Sequence, residues 1–231
     1  MIRAVLFDAV GTLIRPWPSV GSIYARAAAA HGLRLPVRAL EAAFHAVYRE
    51  LFPGRFFGPS RLQTSEPRER AWWRRVVARS MERAGCARPP AAALDDAFAE
   101  FSRGRAWRLA PGAIEALGEL GRRGVAVAIV SNYDARLHRV VDELGLAPRL
   151  AAVLASSEVG WAKPSPRIYR AALDRLGVAP GEALMVGDRR REDCDGARAA
   201  GLNAVLYDPR GTAGGSVPSI RDLRRVPALL A

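Results

Sequence analysis

Lysine is nearly missing from this chain of 231 residues: Lys163 stands alone, and the other 34 of its 35 basic residues are arginine. Cysteine is scarce as well. Cys86 and Cys194 lie far apart and make neither a metal-binding nor a redox spacing, so a reducing, cytoplasmic setting is expected. No window approaches the roughly 18 consecutive apolar residues that a membrane span requires. Met1 to Phe7 is a short apolar stretch soon interrupted by Asp8, so no signal peptide is expected there. Asparagine and glutamine are few, and there is no internal repeat or long low-complexity tract.

What is present suits a globular protein. Half of the residues are hydrophobic and a quarter charged, with room for one large domain or two small ones around a sizeable core. The net charge of +12 is carried by arginine in an alanine-rich chain, the composition of a GC-rich genome. That bias accounts for the basic balance, and no nucleic-acid partner is expected. It also makes Lys163 informative. Where nearly every lysine has become arginine, the survivor does something that a guanidinium cannot.

The order of elements points to an α/β fold. Residues 2–7 read as a short buried strand ending at Asp8. From about Ser19 to Arg105 the pattern is helical without a convincing strand; Trp73, Val77, Met81 and Ala84 line one seam, with loops at Pro53–Thr64 and Cys86–Pro90. After Pro111-Gly112 strands and helices alternate: a helix to about Gly124, strand Val125–Val130, a helix carrying Leu137, Val140, Val141 and Leu144, and a strand near Ala152–Leu154. Helix Ser165–Leu176, strand Ala183–Val186, a helix from about Glu192 to Ala200 and strand Ala204–Tyr207 follow, then a loop over Asp208–Ser219 and a short final helix. This alternation predicts a doubly wound, Rossmann-like parallel sheet, formed by residues 1–14 and 111–231, with an all-helical domain of residues 15–110 inserted after the first strand. The insertion holds 17 Arg against 8 acidic residues; such a basic lid would attract a small anionic molecule, and solvated surface arginine is the alternative reading.

Ligands of doubly wound sheets sit beyond the carboxyl ends of the strands. Four such ends carry polar residues here: Asp8-Ala9-Val10-Gly11-Thr12-Leu13, Ser131-Asn132, Lys163-Pro164, and Gly187-Asp188 with Asp193 five residues on. Each alone reads as a turn or a helix cap. All four in order resemble the haloacid dehalogenase superfamily of hydrolases across essentially the whole core. Phe7-Asp8 through Leu13 matches its first motif, Val130-Ser131-Asn132 its second, Lys163-Pro164-Ser165-Pro166 its third, and Gly187-Asp188 through Asp193, Gly196-Ala197 and Ala200-Gly201 its fourth. The helical insertion is similar to the family's type-one cap. Ser131-Asn132-Tyr133-Asp134 and Ser157-Glu158-Val159-Gly160-Trp161 look most like the branch of haloacid-dehalogenase-like hydrolase-domain proteins.

The residue types suit phosphoryl chemistry. Asp8 is the expected nucleophile, forming an aspartyl-phosphate. A carboxylate approaching an anionic phosphate needs a cation between them, and Asp8, Asp188 and the Val10 carbonyl are expected to hold Mg2+, with Asp193 steadying a metal-bound water. Ser131 and Lys163, with Thr12 and Asn132 alongside, are expected to hold the phosphoryl oxygens of a small phosphorylated metabolite. Bland readings attach to the rest. Trp72-Trp73 reads as core of the insertion, Cys194 as a small filler, and His31, His45 and His138 carry no assigned chemistry.

One position departs from the family pattern. Its phosphatases carry a second aspartate two residues after the nucleophile, the acid that protonates the leaving alkoxide, and here that position is Val10. Three readings stay open: a Mg2+-dependent phosphatase favouring good leaving groups, a 2-haloacid dehalogenase whose halide needs no proton, and a non-catalytic phosphometabolite-binding protein.

Overall fold

The computed structural model describes residues 1–52, 62–212 and 217–230. Its first strand, β1 (Ala4–Phe7), is buried along its whole length. Val5 and Phe7 enter one hydrophobic cluster and Ala4 and Leu6 another, as the two-residue period of a strand covered on both faces requires. The chain then runs through β2 (Ile14–Pro16), helices α1 (Val20–Ala29), α2 (Val37–Leu51), α3 (Glu66–Arg83) and α4 (Ala91–Glu100), and β3 (Trp107–Leu109). Next come α5 (Ala113–Arg122), β4 (Ala126–Ser131), α6 (Arg136–Glu143), β5 (Ala152–Ala155), the short α7 (Ser156–Val159) and α8 (Pro166–Leu176). The last segments are β6 (Ala183–Gly187), α9 (Gly196–Ala199), β7 (Asn203–Tyr207), β8 (Ser219–Ile220) and a 3-10 segment, Leu223–Leu230.

Six strands form one parallel sheet in the order β5-β4-β1-β6-β7-β8. The chain winds outward from β1 through β4 to β5, then returns to β1's other side to lay down β6, β7 and β8. Winding reverses at β1, and a crevice opens at the carboxyl end of such a switch point. Helix α5 buries Ala113, Ala116, Leu117 and Leu120, at i, i+3, i+4 and i+7, on one face of the sheet, while α8 buries Ile168, Tyr169, Ala172 and Leu173 on the other. Each fully buried leucine contributes about 1.5–3 kcal/mol.

Helices α1–α4 close on a third cluster around Tyr24, Leu40, Val77 and Met81. Ser19 caps α1 by accepting a hydrogen bond from the Ser22 backbone N–H. The insertion is tied to the sheet by backbone hydrogen bonds between Leu62 and Ala162 and between Thr64 and Gly160. Glu66 adds a carboxylate that accepts from the Ala135 N–H and from the Ser157 hydroxyl.

The sequence reading and the structure differ in places. A two-stranded antiparallel ribbon, β2 with β3, joins the ends of the insertion, and β8 adds a sixth strand. Strands of two or three residues, one of them containing Pro16, are too short to show alternation. The helix expected from Glu192 begins at Arg190 as a wide π-turn that becomes α9 only at Gly196. Of the expected loop Pro53–Thr64, residues 53–61 lie outside the described residues, as do 213–216 of the loop Asp208–Ser219.

Candidate active site

Three neighbouring strands deliver the polar residues. β4, β1 and β6 pair in register, Phe7 lying opposite both Ile129 and Val186, so Ser131, Asp8 and Asp188 leave the sheet side by side. After Asp8 the chain doubles back tightly, the Leu13 and Ile14 N–H groups both reaching the Ala9 carbonyl at 2.9 Å. Gly11 turns the corner at φ +101°, and a Cβ there would lie 2.4 Å from Asp188 Oδ2. Only glycine lets the first loop pass this close to the second carboxylate. Gly187 has the same role toward Asp193, whose Cγ would meet a Cβ at 2.2 Å.

Lys163 lies at the centre of the charge cluster. It is 2 % exposed, and its ammonium donates to Asp8 Oδ1 at 2.7 Å and to Asp193 Oδ1 at 2.6 Å. Asp193 is fully engaged, its Oδ2 accepting from the Arg189 N–H at 2.9 Å. Asp8, Asp188 and Asp193 offer one oxygen each within 4.8 Å of one another. Asp8 Oδ2 and Asp188 Oδ1 are buried and have no hydrogen-bond partner. The Val10 carbonyl likewise accepts no hydrogen bond among the described residues.

The electrostatics follow from this crowding. Burial, with Asp193 adding to it, lifts the Asp8 carboxyl to about 6 against the pull of Lys163. Burial, reinforced by Asp8 and Asp193, pushes Asp188 to about 7. Burial opposes the charge on Lys163, but Asp193 and Asp8 outweigh it and hold the ammonium above its usual range. Three carboxylates facing one lysine leave an excess of negative charge, and two unpartnered oxygens mark where a second cation fits. A divalent ion that prefers a few hard oxygens suits this donor set.

Sequence reading gathered Asp8, Val10, Ser131, Lys163, Asp188 and Asp193 at the carboxyl ends of the strands, and in the structure all six border one cavity. The Ser131 hydroxyl stands 3.5 Å from Asp8 Oδ1, too long for a strong hydrogen bond, so its oxygen is free for another partner. Two expected ligands are placed differently from these six. Thr12 is fully buried and does not border the cavity, because the turn after β1 rotates it inward. Asn132 borders the cavity, but its amide accepts from the Lys163 N–H at 2.7 Å and donates to the Lys163 carbonyl at 3.0 Å. It fixes the loop that presents the lysine.

Other residues of the site went unread. Arg189 sends its guanidinium from the loop after β6 across to α2, donating to the Tyr48 hydroxyl at 3.2 Å and lying 5.0 Å from the Phe52 ring centre. In a chain with 34 arginines, one in the run Arg189-Arg190-Arg191 carries no signal. Trp73, read as insertion core, is half-buried and borders the cavity. Glu41 and His45, one helical turn apart on α2 and 3.2 Å from each other, stand on its rim. Several arginines of the basic insertion already have carboxylate partners. Arg26 and Arg105 pair with Glu100, Arg70 and Arg74 with Asp95, and Arg79 and Arg83 with Glu50, most of them exposed.

The family model for haloacid dehalogenase-like hydrolases matches residues 2–201. The human haloacid dehalogenase-like hydrolase domain-containing protein 3 is 36% identical over 210 residues, covering 89% of this chain and 81% of that protein. A phosphoserine phosphatase of Thermus thermophilus is 44% identical over 136 residues, 58% of this chain and 53% of its own. Among solved structures, a Bacillus subtilis HAD-hydrolase, YfnB, described as bound to magnesium, superposes with a TM-score of 0.80 at 17% identity, over 99% of this chain and 98% of that one. Haloacid dehalogenases share the fold as well.

Proposed function

The chain belongs to the haloacid dehalogenase-like hydrolases, and on that footing we propose that it is a Mg2+-dependent phosphatase acting on a small phosphorylated metabolite through an aspartyl-phosphate on Asp8. The observation that carries this reading is the pair of orphaned oxygens, Asp8 Oδ2 and Asp188 Oδ1, in a cluster of three carboxylates that face a single lysine. Asp8, Asp188 and the Val10 carbonyl would hold the ion. Mg2+ bound there offsets the repulsion between the Asp8 carboxylate and the incoming phosphate.

The chain's own residues do the rest. Lys163 keeps Asp8 ionised and oriented by bonding Oδ1. Asp8 attacks phosphorus; the new O–P bond forms as the ester P–O bond breaks, and the electron pair leaves with the alcohol oxygen. Water then cleaves the aspartyl-phosphate, releasing phosphate and regenerating Asp8. The Ser131 hydroxyl, without a strong partner of its own, and Lys163 lie where phosphoryl oxygens need donors. Asn132 and Asp193 hold Lys163 in place. The helical insertion serves as the cap over the crevice.

Val10 sets the limit. Its half-buried side chain borders the cavity where an acid would stand, and valine transfers no proton. The leaving oxygen therefore departs as an anion, so rate depends on leaving-group acidity. Dehalogenation tolerates Val10, but Asp188 disfavours it: without a cation it is a second buried carboxylate facing the nucleophile, held up at about 7 by burial and by the Asp8 charge, and nothing in a metal-free reaction uses it. The test is kcat/KM for alkyl phosphates, aryl phosphates and 2-haloacids, each with Mg2+ and with EDTA, in the parent and in Val10→Asp. Expected are aryl phosphate turnover abolished by EDTA and by Asp188→Ala, and a gain on alkyl phosphates in Val10→Asp of up to about 10²-fold. Halide release that survives EDTA overturns the reading. No turnover of any substrate leaves a binding protein.

A further inference from the structure

The cavity beyond the carboxylates has a volume of about 490 Å³, in the range of sites for small organic ligands. Its wall is aromatic: nine of the chain's seventeen Phe, Tyr and Trp residues border it, among them Tyr24, Phe44, Tyr48, Trp73 and Phe98. Cations contribute little there. Arg136 is committed to both oxygens of Asp134, each at 2.7 Å, and its guanidinium carbon stands over the Phe98 ring, 3.4 Å from its centre. Arg189 is stacked over Tyr48 and Phe52. Arg15 is exposed, at the mouth. Away from Lys163, then, the interior is built for a flat apolar body and not for further anionic groups.

Tyr24 brings a polar group into this wall. Tyr24 is 1 % exposed, held edge-on by Phe44 and Phe101 with ring centres 6.1 and 6.0 Å away. Its hydroxyl makes no hydrogen bond to the described residues, although buried tyrosine hydroxyls ordinarily find one. The phenol stays protonated, because burial raises its pKa, and so it serves as a hydrogen-bond donor to a ligand and not as a general acid. Val10 adds an independent indication. A site with no acid on its first loop turns over substrates whose leaving oxygen is stable as an anion, and an aryl oxide is such an oxygen.

Resting on the phosphatase reading, we propose that the substrate is a phosphate monoester of a phenol, its ring lying among Phe44, Tyr48, Trp73 and Phe98 and a hydrogen-bond acceptor on the ring meeting Tyr24. The phosphate end takes all the charge recognition and the ring takes the selectivity.

Non-hydrolysable phosphonates separate binding from leaving-group chemistry. Calorimetry on the Mg2+-loaded full chain would compare inorganic phosphate, 2-hydroxyethylphosphonate, phenylphosphonate and 4-acetylphenylphosphonate. The phenyl compound is expected to bind at least about tenfold tighter than the hydroxyethyl compound, from apolar burial and ring stacking. Trp73→Ala should shrink that ratio. Tyr24→Phe should leave phenylphosphonate unchanged and weaken the acetylphenyl compound about fivefold, the worth of one net hydrogen bond. Equal or tighter binding of the hydroxyethyl compound to the parent protein overturns the proposal while phosphate binding keeps the phosphatase reading intact. If inorganic phosphate and all the phosphonates fail to bind, the phosphatase reading falls and takes this inference with it.

Discussion

Replacing Lys163 by methionine removes the only ammonium from a cluster that already carries too much negative charge. The side chains are similar in length, so packing changes little. What changes is electrostatic: Lys163 donates at 2.7 Å to Asp8 and 2.6 Å to Asp193, and it is 2 % exposed. Breaking a buried pair by deleting one partner costs about 3–5 kcal/mol, because the remaining charge is left uncompensated. Here three carboxylates within 4.8 Å of one another would remain. At about 2–4 °C per kcal/mol for a chain of this size, Lys163→Met should lower Tm by roughly 6–20 °C at pH 8 without metal. The loss should be smaller at pH 5.5, where Asp188 and Asp8, lifted to about 7 and about 6, take up protons, and smaller again with saturating Mg2+. Lys163→Arg is the companion variant. It keeps the charge but brings a planar fork into a point-charge site, so Tm should recover more than turnover, which should stay down about 10²-fold. Differential scanning fluorimetry under the three conditions gives the answer. An equal Tm loss at pH 8, at pH 5.5 and with Mg2+ would mean that Lys163 acts by packing, and the charge argument would fail.

Two further outcomes follow from the same geometry. Gly11→Ala places a methyl 2.4 Å from Asp188 Oδ2 on a backbone at φ +101°; calorimetry should show weaker Mg2+ binding, and thermal melts a stability loss of about 1–3 kcal/mol, whereas unchanged Mg2+ affinity would detach Asp188 from the metal site. The second concerns pH. Asp8 and Asp188 have folded-state pKa values raised above 3.8, so the metal-free fold binds their protons more tightly than the unfolded chain does. Their contribution to stability is therefore unfavourable above about pH 7, and it improves as pH falls through 7 and 6 toward 4. Mg2+ competes for the same oxygens, so its affinity should rise steeply between pH 5.5 and 7.5, and Asp188→Asn should flatten both profiles.

The fold and the reactive end of the site were legible in the sequence because they depend on local order. β1, β4, β6 and β7 are apolar runs followed at once by turn-forming or polar residues, and the alternation with helices admits one architecture, in which the polar residues gather at one edge. Asp8, Ser131, Lys163 and Asp188 could be named for that reason, and Lys163 also because a genome that replaces lysine had kept it. Val10 as the missing acid was readable for a similar reason: its place is counted along the chain from Asp8.

What lies across the crevice from the sheet was decided only by tertiary structure. Tyr24, Phe44, Tyr48, Trp73 and Phe98 come from four different helices, and helical periodicity marks each as core without saying which core. A ring facing a packed neighbour and a ring facing a cavity have the same sequence pattern, which is why Trp73 was read as interior. Charge was ambiguous in the same way. Net charge does not record direction: several arginines of the insertion pair with Glu50, Asp95 and Glu100, none of which borders the crevice, while Arg189, in a run of three, reaches into it. Thr12 and Asn132 show the limit at the scale of single side chains. Motif position brought both near the phosphate end, but the tight turn after Asp8 buries one, and the hydrogen bonds of the Lys163 backbone claim the other. Composition and spacing determine which groups reach a site; the direction each one faces depends on neighbours that are distant in the chain.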